Sequence, residues 1–423
     1  MLKKPILRLL AVALVLIALF IFAKDIFGNA LVKNEVLLKR GPGEYLEIKH
    51  IVLRGSNKKI GQAVGDIAQS WLKIKLMPLP SPLYAKARNL YIKNNYPALL
   101  ERMKGVARSY KVPWNSNYAF DSLFYDVGPM SCSTVFYPGN STTTEHPIFC
   151  HNLDFYVVGM SEFMGMKPVK GEDKLYSRDY VMEVYPKNAY GYIVIGGLEL
   201  LSGGMSGMNE HGVVTSILAE HGCPTSEDPA QTGLTPFQMM REVLETCRTV
   251  EEAKLVILRN KLAFAFEGVH FQVADSFGNS FICDIDPKDV TYHFTDNKQQ
   301  PQVMTNHSAY LYPDPKKFPK YSKRETYNTY YRYNALLKFI KEQQGKKIAP
   351  LSAWEAMSRA YAHTHDADEG AANPSPCRTL WTILYDMQLK TVQVKFYLKD
   401  GPTDKKTGDP TLLFSKVFDF KVR

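Results

Sequence analysis

GPMSCSTVFYPGNSTTTEHPIFCHNLDF, residues 128–155, decides how the chain is read. CSTVFYP and HPIFCHNLDF are short runs rich in β-branched and aromatic residues, and the polar stretch GNSTTTE between them has turn composition. That pattern predicts a β-hairpin. A hairpin of this length brings the end of its second strand back to the start of its first. Asp154 therefore returns beside Cys132, a cysteine flanked by the small hydroxyl residues Ser131, Ser133 and Thr134. A free thiol is most often an inert, buried one. Hydroxyls and a carboxylate gathered around it point instead to a nucleophile, which needs a base close by.

The base is the open question. A papain-like site would need a cysteine opening a helix and a distant histidine, whereas CSTVFYP reads as a strand. A cut between Ser131 and Cys132 would supply another solution. The new α-amino group, with a pKa of about 8, would sit on the nucleophile's own residue, with Asp154 placed to orient it.

Outward from the hairpin, the segment from 44 to 131 is mostly helical. EYLEIKHIVLRG alternates like a strand, and KKIGQAVGDIAQSWLKIK and PLYAKARNLYIKNNYPALLERMKGVARSY have helical periodicity. After the hairpin come GYIVIGG, then GGMSGMN and GVVTSILAE joined by a Glu-His-Gly turn. Two helices follow, with Thr235-Pro236 and the box Thr249–Glu252 as their starts. Strands resume at HFQVADSFGNSFICDID, VTYHF and QQPQVMTNHS. A tyrosine-rich helix spans about 325 to 344, and another begins at the box Ser352-Ala353-Trp354-Glu355. TLWTILYDMQLKTVQVKFYL closes as a hairpin, and LLFSKVFDFKV reads as one more strand. The strands pair locally and no glycine-rich βαβ motif intervenes. The expectation is an α+β domain of antiparallel sheets with helices laid over them.

The chain has 423 residues, 45% hydrophobic and 22% charged, which suits a folded globular protein. Its formal charge of +10 is spread rather than blocked. This reads as a solvated surface, with anionic lipid headgroups the minority partner; no basic stripe with interleaved aromatics points to nucleic acid. Residues 9–23 form an uncharged apolar run behind Lys3, Lys4 and Arg8, and Gly28-Asn29-Ala30 resembles a small-residue cleavage site. Residues 1–30 are thus expected to be a signal peptide or single-pass anchor, with the protein exported and possible membrane association through this segment. Residues 31–131 would form a pro-segment or small chain and 132–423 the catalytic domain. Six cysteines fit an exported protein with one or two disulfides, and none has zinc spacing. HTHDADEG, residues 363–370, offers two histidines and three acids, but is read as a solvated connection before a metal loop.

The motifs together resemble the cysteine N-terminal-nucleophile hydrolases, a superfamily that includes bile salt hydrolases, acid ceramidase and the acyl-coenzyme A:isopenicillin N acyltransferases. The acyltransferase branch is most similar because of the long segment before the cysteine. The resemblance runs from about 51 to 402 and implies a four-layer αββα sandwich. Residue by residue, it implies Cys132 as nucleophile and Asp154 as the carboxylate that holds its amine. His151 stands where relatives have Arg or Gln. Asn306 in VMTNHS would aim its amide at the oxyanion, and Arg324 in YSKRETY would steady the site as a fixed cation. GMSGMNEHGVV resembles a structural Met-Asn-Glu-x-Gly turn. Where bile salt hydrolases carry an oxyanion asparagine, this chain has Ala219.

The implied activity is self-processing attack on a linear amide or thioester of a small acyl or lipid-like substrate, with no cofactor and no metal. Two other classes stay open: a phospholipase B-like ester hydrolase on the same fold, and a binding protein that has kept the fold without the chemistry.

Overall fold

A computed structural model describes residues 30–121, 131–197, 200–220, 232–263, 268–286, 291–318, 329–343, 345–362, 377–405 and 408–423. The N-terminal apolar run and the His363 loop lie outside these residues. Among the described residues, no helix is long and apolar enough to cross a membrane.

Two sheets carry the architecture. The first has nine strands in the order β1 (Leu31–Leu38), β2 (Glu47–Gly55), β5 (Arg178–Pro186), β6 (Tyr192–Gly197), β7 (Ser206–Asn209), β8 (Val214–Ala219), β9 (Val269–Ala274), β10 (Ser280–Ile285) and β11 (Tyr292–Asp296). The second runs β12 (Gln302–Met304), β3 (Ser131–Tyr137), β4 (Ile148–Tyr156), β13 (Cys377–Asp386), β14 (Thr391–Thr403) and β15 (Pro410–Phe414), and β16 (Phe418–Lys421) also pairs with β14. The longer helices are α1 (Asn57–Ile67), α2 (Pro82–Asn95), α3 (Pro97–Ser109), α4 (Pro236–Thr246), α5 (Val250–Arg259), α6 (Thr329–Glu342) and α7 (Pro350–Ser358).

Three apolar layers order these elements. Ile51 and Leu53 of β2 pack with Ile60 and Val64 of α1, Leu99 and Met103 of α3, Met239 and Val243 of α4 and Val256 of α5. A second core lies between the sheets, joining Phe149 and Leu153 of β4 and Trp381 of β13 to Val181 of β5, Ile193 of β6 and Leu218 of β8. The third places Leu336 and Phe339 of α6 and Ala353 and Met357 of α7 on Val135, Tyr137, Ile148 and Cys150. Helices, sheet, sheet, helices: this is the αββα sandwich, held because each sheet has two apolar faces to cover. Close approach of α1 and α3 needs glycine at both crossing points. A Cβ on Gly61 would lie 2.0 Å from the Arg102 carbonyl oxygen, and one on Gly105 2.0 Å from that of Lys58.

The structure departs from the sequence reading in several places. β2 and β5 run parallel, in register from Glu47 opposite Arg178 to Gly55 opposite Pro186. The crossover between them contains α1 to α3 and the β3–β4 hairpin, so the pairing is not local. The last expected strand is two, β15 and β16. Helix α7 starts at Pro350, with Ala349 as an N-cap that makes no side-chain bond, rather than at Ser352. Proline at the first position pre-sets the helical φ and outweighs the expected box. Cys132, Cys150, Cys247, Cys283 and Cys377 are buried, and no disulfide joins one of these described cysteines to another.

Candidate active site

The β3–β4 register puts Ser131 opposite Asp154, Cys132 opposite Leu153, Ser133 opposite Asn152 and Thr134 opposite His151. Side chains alternate faces along a strand. Cys132 thus points into the core between the sheets, together with Phe136, Phe149 and Leu153. Ser131, Ser133, Asn152 and Asp154 take the other face, toward α6 and α7.

That outer face is held by one buried guanidinium. Arg332, on the first turn of α6 and 1% exposed, donates from Nη1 to the carbonyl oxygen of Cys132 and to Ser133 Oγ at 2.9 Å. From Nη2 it donates to Ser131 Oγ at 3.2 Å and to Asn306 Oδ1 at 2.8 Å. Its Nη1 lies 3.9 Å from Asp154 Oδ2. Asp154 Oδ1 accepts from Thr379 Oγ1 at 2.5 Å, from the strand on its other side. Arginine suits this position because its planar fork serves several acceptors at once and keeps its charge when buried.

Asn306 follows β12 and spans the same centre. Its Oδ1 also accepts from the Cys132 backbone N–H at 2.8 Å, and its Nδ2 donates to the Ala219 carbonyl at 2.7 Å. Asn306 therefore ties the end of β8 in one sheet to the nucleophile's main chain in the other. Burial pushes the Cys132 thiol well above its usual pKa, and the Asp154 carboxylate adds to this. The Arg332 charge and the Asp154 backbone N–H pull it the other way. In the uncut chain the thiol is thus held protonated.

His151 sits on the inner face. Its Nδ1 lies 3.0 Å from Ser216 Oγ, its ring meets Trp381 edge-on at 4.9 Å, and burial pushes its pKa down to about 3. It stays neutral at ordinary pH and makes no described contact with Cys132. Arg324 lies outside the described residues. The structure brings Cys132, Asp154 and Asn306 together, with Arg332 among them. Sequence reasoning overlooked Arg332, which is hidden in the tyrosine-rich TYYRYN. Beside it, His307 accounts for much of that tyrosine pattern. Its ring packs on Phe318, Tyr330 and Tyr333 at 4.7, 4.7 and 5.1 Å, and its Nδ1 lies 2.8 Å from Thr329 Oγ1. These contacts dock the start of α6 and so aim Arg332.

The sequence profile of the acyl-coenzyme A:6-aminopenicillanic acid acyl-transferase family matches residues 142–399, more than half of the chain. The chain belongs to this family. It is an enzyme of the hydrolase and acyltransferase class, within the N-terminal-nucleophile hydrolase superfamily. The match begins after Cys132 and includes Asp154, Asn306 and Arg332. No curated protein matches the sequence. Among solved structures, the chain is similar to penicillin V acylase from Agrobacterium tumefaciens, with 18% identity, a TM-score of 0.40, and coverage of 67% of this chain and 85% of that one. It is also similar to two variants of conjugated bile acid hydrolase from Clostridium perfringens. One has 11% identity and a TM-score of 0.43, the other 12% and 0.44, and each covers 69% of this chain and 97% of that one.

Proposed function

We propose that this enzyme is a self-processing cysteine amidohydrolase or acyltransferase acting on a linear amide or thioester. The observation that carries the reading is the convergence of Asn306 and Arg332 on the main chain of Cys132, with Asp154 beside Arg332. Asn306 Oδ1 already accepts the hydrogen of the Cys132 nitrogen. Cutting the Ser131–Cys132 bond turns that nitrogen into an α-amine, a base with a pKa of about 8 on the nucleophile's own residue. The amine takes the thiol proton as Sγ attacks the substrate carbonyl carbon. The tetrahedral oxyanion collapses, the C–N bond breaks, and the leaving amine takes the proton back. Water or a second amine then resolves the thioester acyl-enzyme. Asp154 and Arg332 fix the position and field of the amine. The Asn306 amide is the side-chain donor assigned to the oxyanion.

The substrate class is a small N-acyl amine, and the apolar run at residues 9–23 supports work outside the cytoplasm. The test is a panel of N-acyl amines, acyl thioesters and phospholipids, quenched in acid during turnover and peptide-mapped. The proposal expects acyl mass on a peptide beginning at Cys132, from amides or thioesters. Acylation at another residue, turnover that survives Cys132→Ala, or turnover of phospholipids alone overturns it.

A further inference from the structure

Two buried threonines on β13 face β4, and they meet different partners. Thr382 Oγ1 donates to Asn152 Oδ1 at 2.8 Å, and Thr379 Oγ1 donates to Asp154 Oδ1 at 2.5 Å. Asn152 and Asp154 are two residues apart on β4 and share a face, whereas the threonines are three apart on β13. On a regular strand an odd spacing puts side chains on opposite faces. The register resolves the mismatch. Asp154 stands opposite Thr379, Leu153 opposite Trp381 and Asn152 opposite Thr382, so Leu380 is the extra residue of a β-bulge. Leu380 and Trp381 both turn into the core between the sheets, and Thr379 thereby joins Thr382 on the outer face. Re-aiming a side chain is what such a bulge does.

The Thr379 hydroxyl is also held from behind. The Ala362 backbone N–H, beyond the end of α7, donates to Thr379 Oγ1 at 2.9 Å. A hydroxyl has one hydrogen to give, and with its oxygen accepting from Ala362 that hydrogen goes to Asp154. Asn152 is tied to α7 as well, through Nδ2 to the Met357 carbonyl at 2.9 Å. The two threonines thus sit in comparable buried networks, but only Thr379 serves a group that carries charge. A carboxylate that accepts a hydroxyl hydrogen keeps its charge to lower pH. It also keeps its rotation: with Oδ1 on Thr379, Oδ2 lies 3.9 Å from Arg332 Nη1.

We infer that Thr379 is a positioning residue for the reaction, its hydroxyl fixing the rotation and the ionisation of Asp154, and that the bulge at Leu380 delivers it. The inference rests on the role given above to Asp154 and goes beyond it by naming the residue through which β13 acts on the nucleophile. Thr379 acts through Asp154, not on the substrate.

The experiment uses the full chain and 4-nitrophenyl acetate, an activated acyl donor whose burst of 4-nitrophenolate reports acylation of the thiol. Cys132→Ala sets the blank. Thr379→Val keeps the shape and removes the hydroxyl. Its burst rate at pH 7 should fall about tenfold, the size of one hydrogen bond to a charged group, with the half-saturating concentration within about twofold. The acid limb of its rate should move up by about one pH unit, because the carboxylate loses a bond to its charged form. Thr379→Ser should restore both rate and limb. Thr382→Val loses a comparable buried hydroxyl, and should lose similar thermal stability while keeping the wild-type limb. Placed on Asp154→Asn, Thr379→Val should slow the burst no further. Should Thr379→Val not fold, Thr379→Ala carries the same expectations. Wild-type rate and limb in these Thr379 variants would overturn the inference. So would Thr379→Ser as slow as Thr379→Val, or the same limb shift in Thr382→Val. A wild type with no burst above Cys132→Ala would instead overturn the function proposed above, and the inference with it.

Discussion

The two ends of the β3–β4 hairpin share one face but not one chemistry. At the far end, Val135 pairs with Cys150 and Tyr137 with Ile148, and this patch receives Leu336, Phe339 and Met357 from α6 and α7. At the near end, Ser131 pairs with Asp154 and Ser133 with Asn152, and Arg332 of the same helix α6 reaches over them. Two residue pairs along the strand turn an apolar seat into a buried polar network. Helix α6 therefore has two jobs on one sheet. Its later turns bury apolar surface, and its first turn delivers a cation to the nucleophile's backbone. The first job makes the second possible, because a buried guanidinium is costly unless its helix is fixed by other contacts.

The largest effect belongs to the polar end. Asp154→Asn keeps the shape and removes the charge, and should cost about 10²–10⁴-fold in turnover with the fold intact. Near-normal turnover in a folded Asp154→Asn protein would erase the functional difference between the two ends. At the apolar end, Phe339→Ala should cost about 3–5 kcal/mol in denaturant-monitored stability while leaving kcat of the folded fraction near wild type. A kcat loss as large as that of Asp154→Asn would show that the ends do not divide their labour.

Asn306 connects the polar end to the other sheet. Asn306→Ala should cost about 2.7–4 kcal/mol of transition-state stabilisation, seen in kcat rather than KM. An effect confined to KM would contradict the oxyanion role. The smallest effect concerns the histidines. Burial pushes His151 to about 3; burial, with His270 and Arg332 nearby, pushes His307 to about 3. The unfolded chain takes up these protons below pH ~6.5, and the folded chain only near its lowered values. Their contribution to stability is complete above pH ~6.5 and is lost as pH falls toward those values, by up to ~1.4 kcal/mol per pH unit for each. Urea midpoints from pH 7 to 4.5 should therefore fall less steeply in His307→Asn than in wild type, and equal slopes would remove His307 from this account.

Much of this was legible in the sequence. Alternation and a polar turn predict the hairpin, and counting along it places Asp154 beside Cys132. The layered α+β class follows from the order of elements. Arg332 was not legible, because its partner Cys132 lies 200 residues away and a single arginine among helical tyrosines has no local signature. What would have marked it is its place on the first turn of a helix otherwise read as core and surface. The parallel β2–β5 pairing was hidden for the same reason, since the intervening helices and hairpin leave no local trace of it. Expectations for Arg324, for Cys223 and for residues 363–370 fall outside the described residues.

Intact-mass analysis of purified wild type beside Cys132→Ala decides whether the chain cuts itself before Cys132. Wild type should give two associated chains, the larger beginning at Cys132, and Cys132→Ala one uncut chain. Fully active wild type with the Ser131–Cys132 bond intact would contradict it, because the proposed base would then not exist.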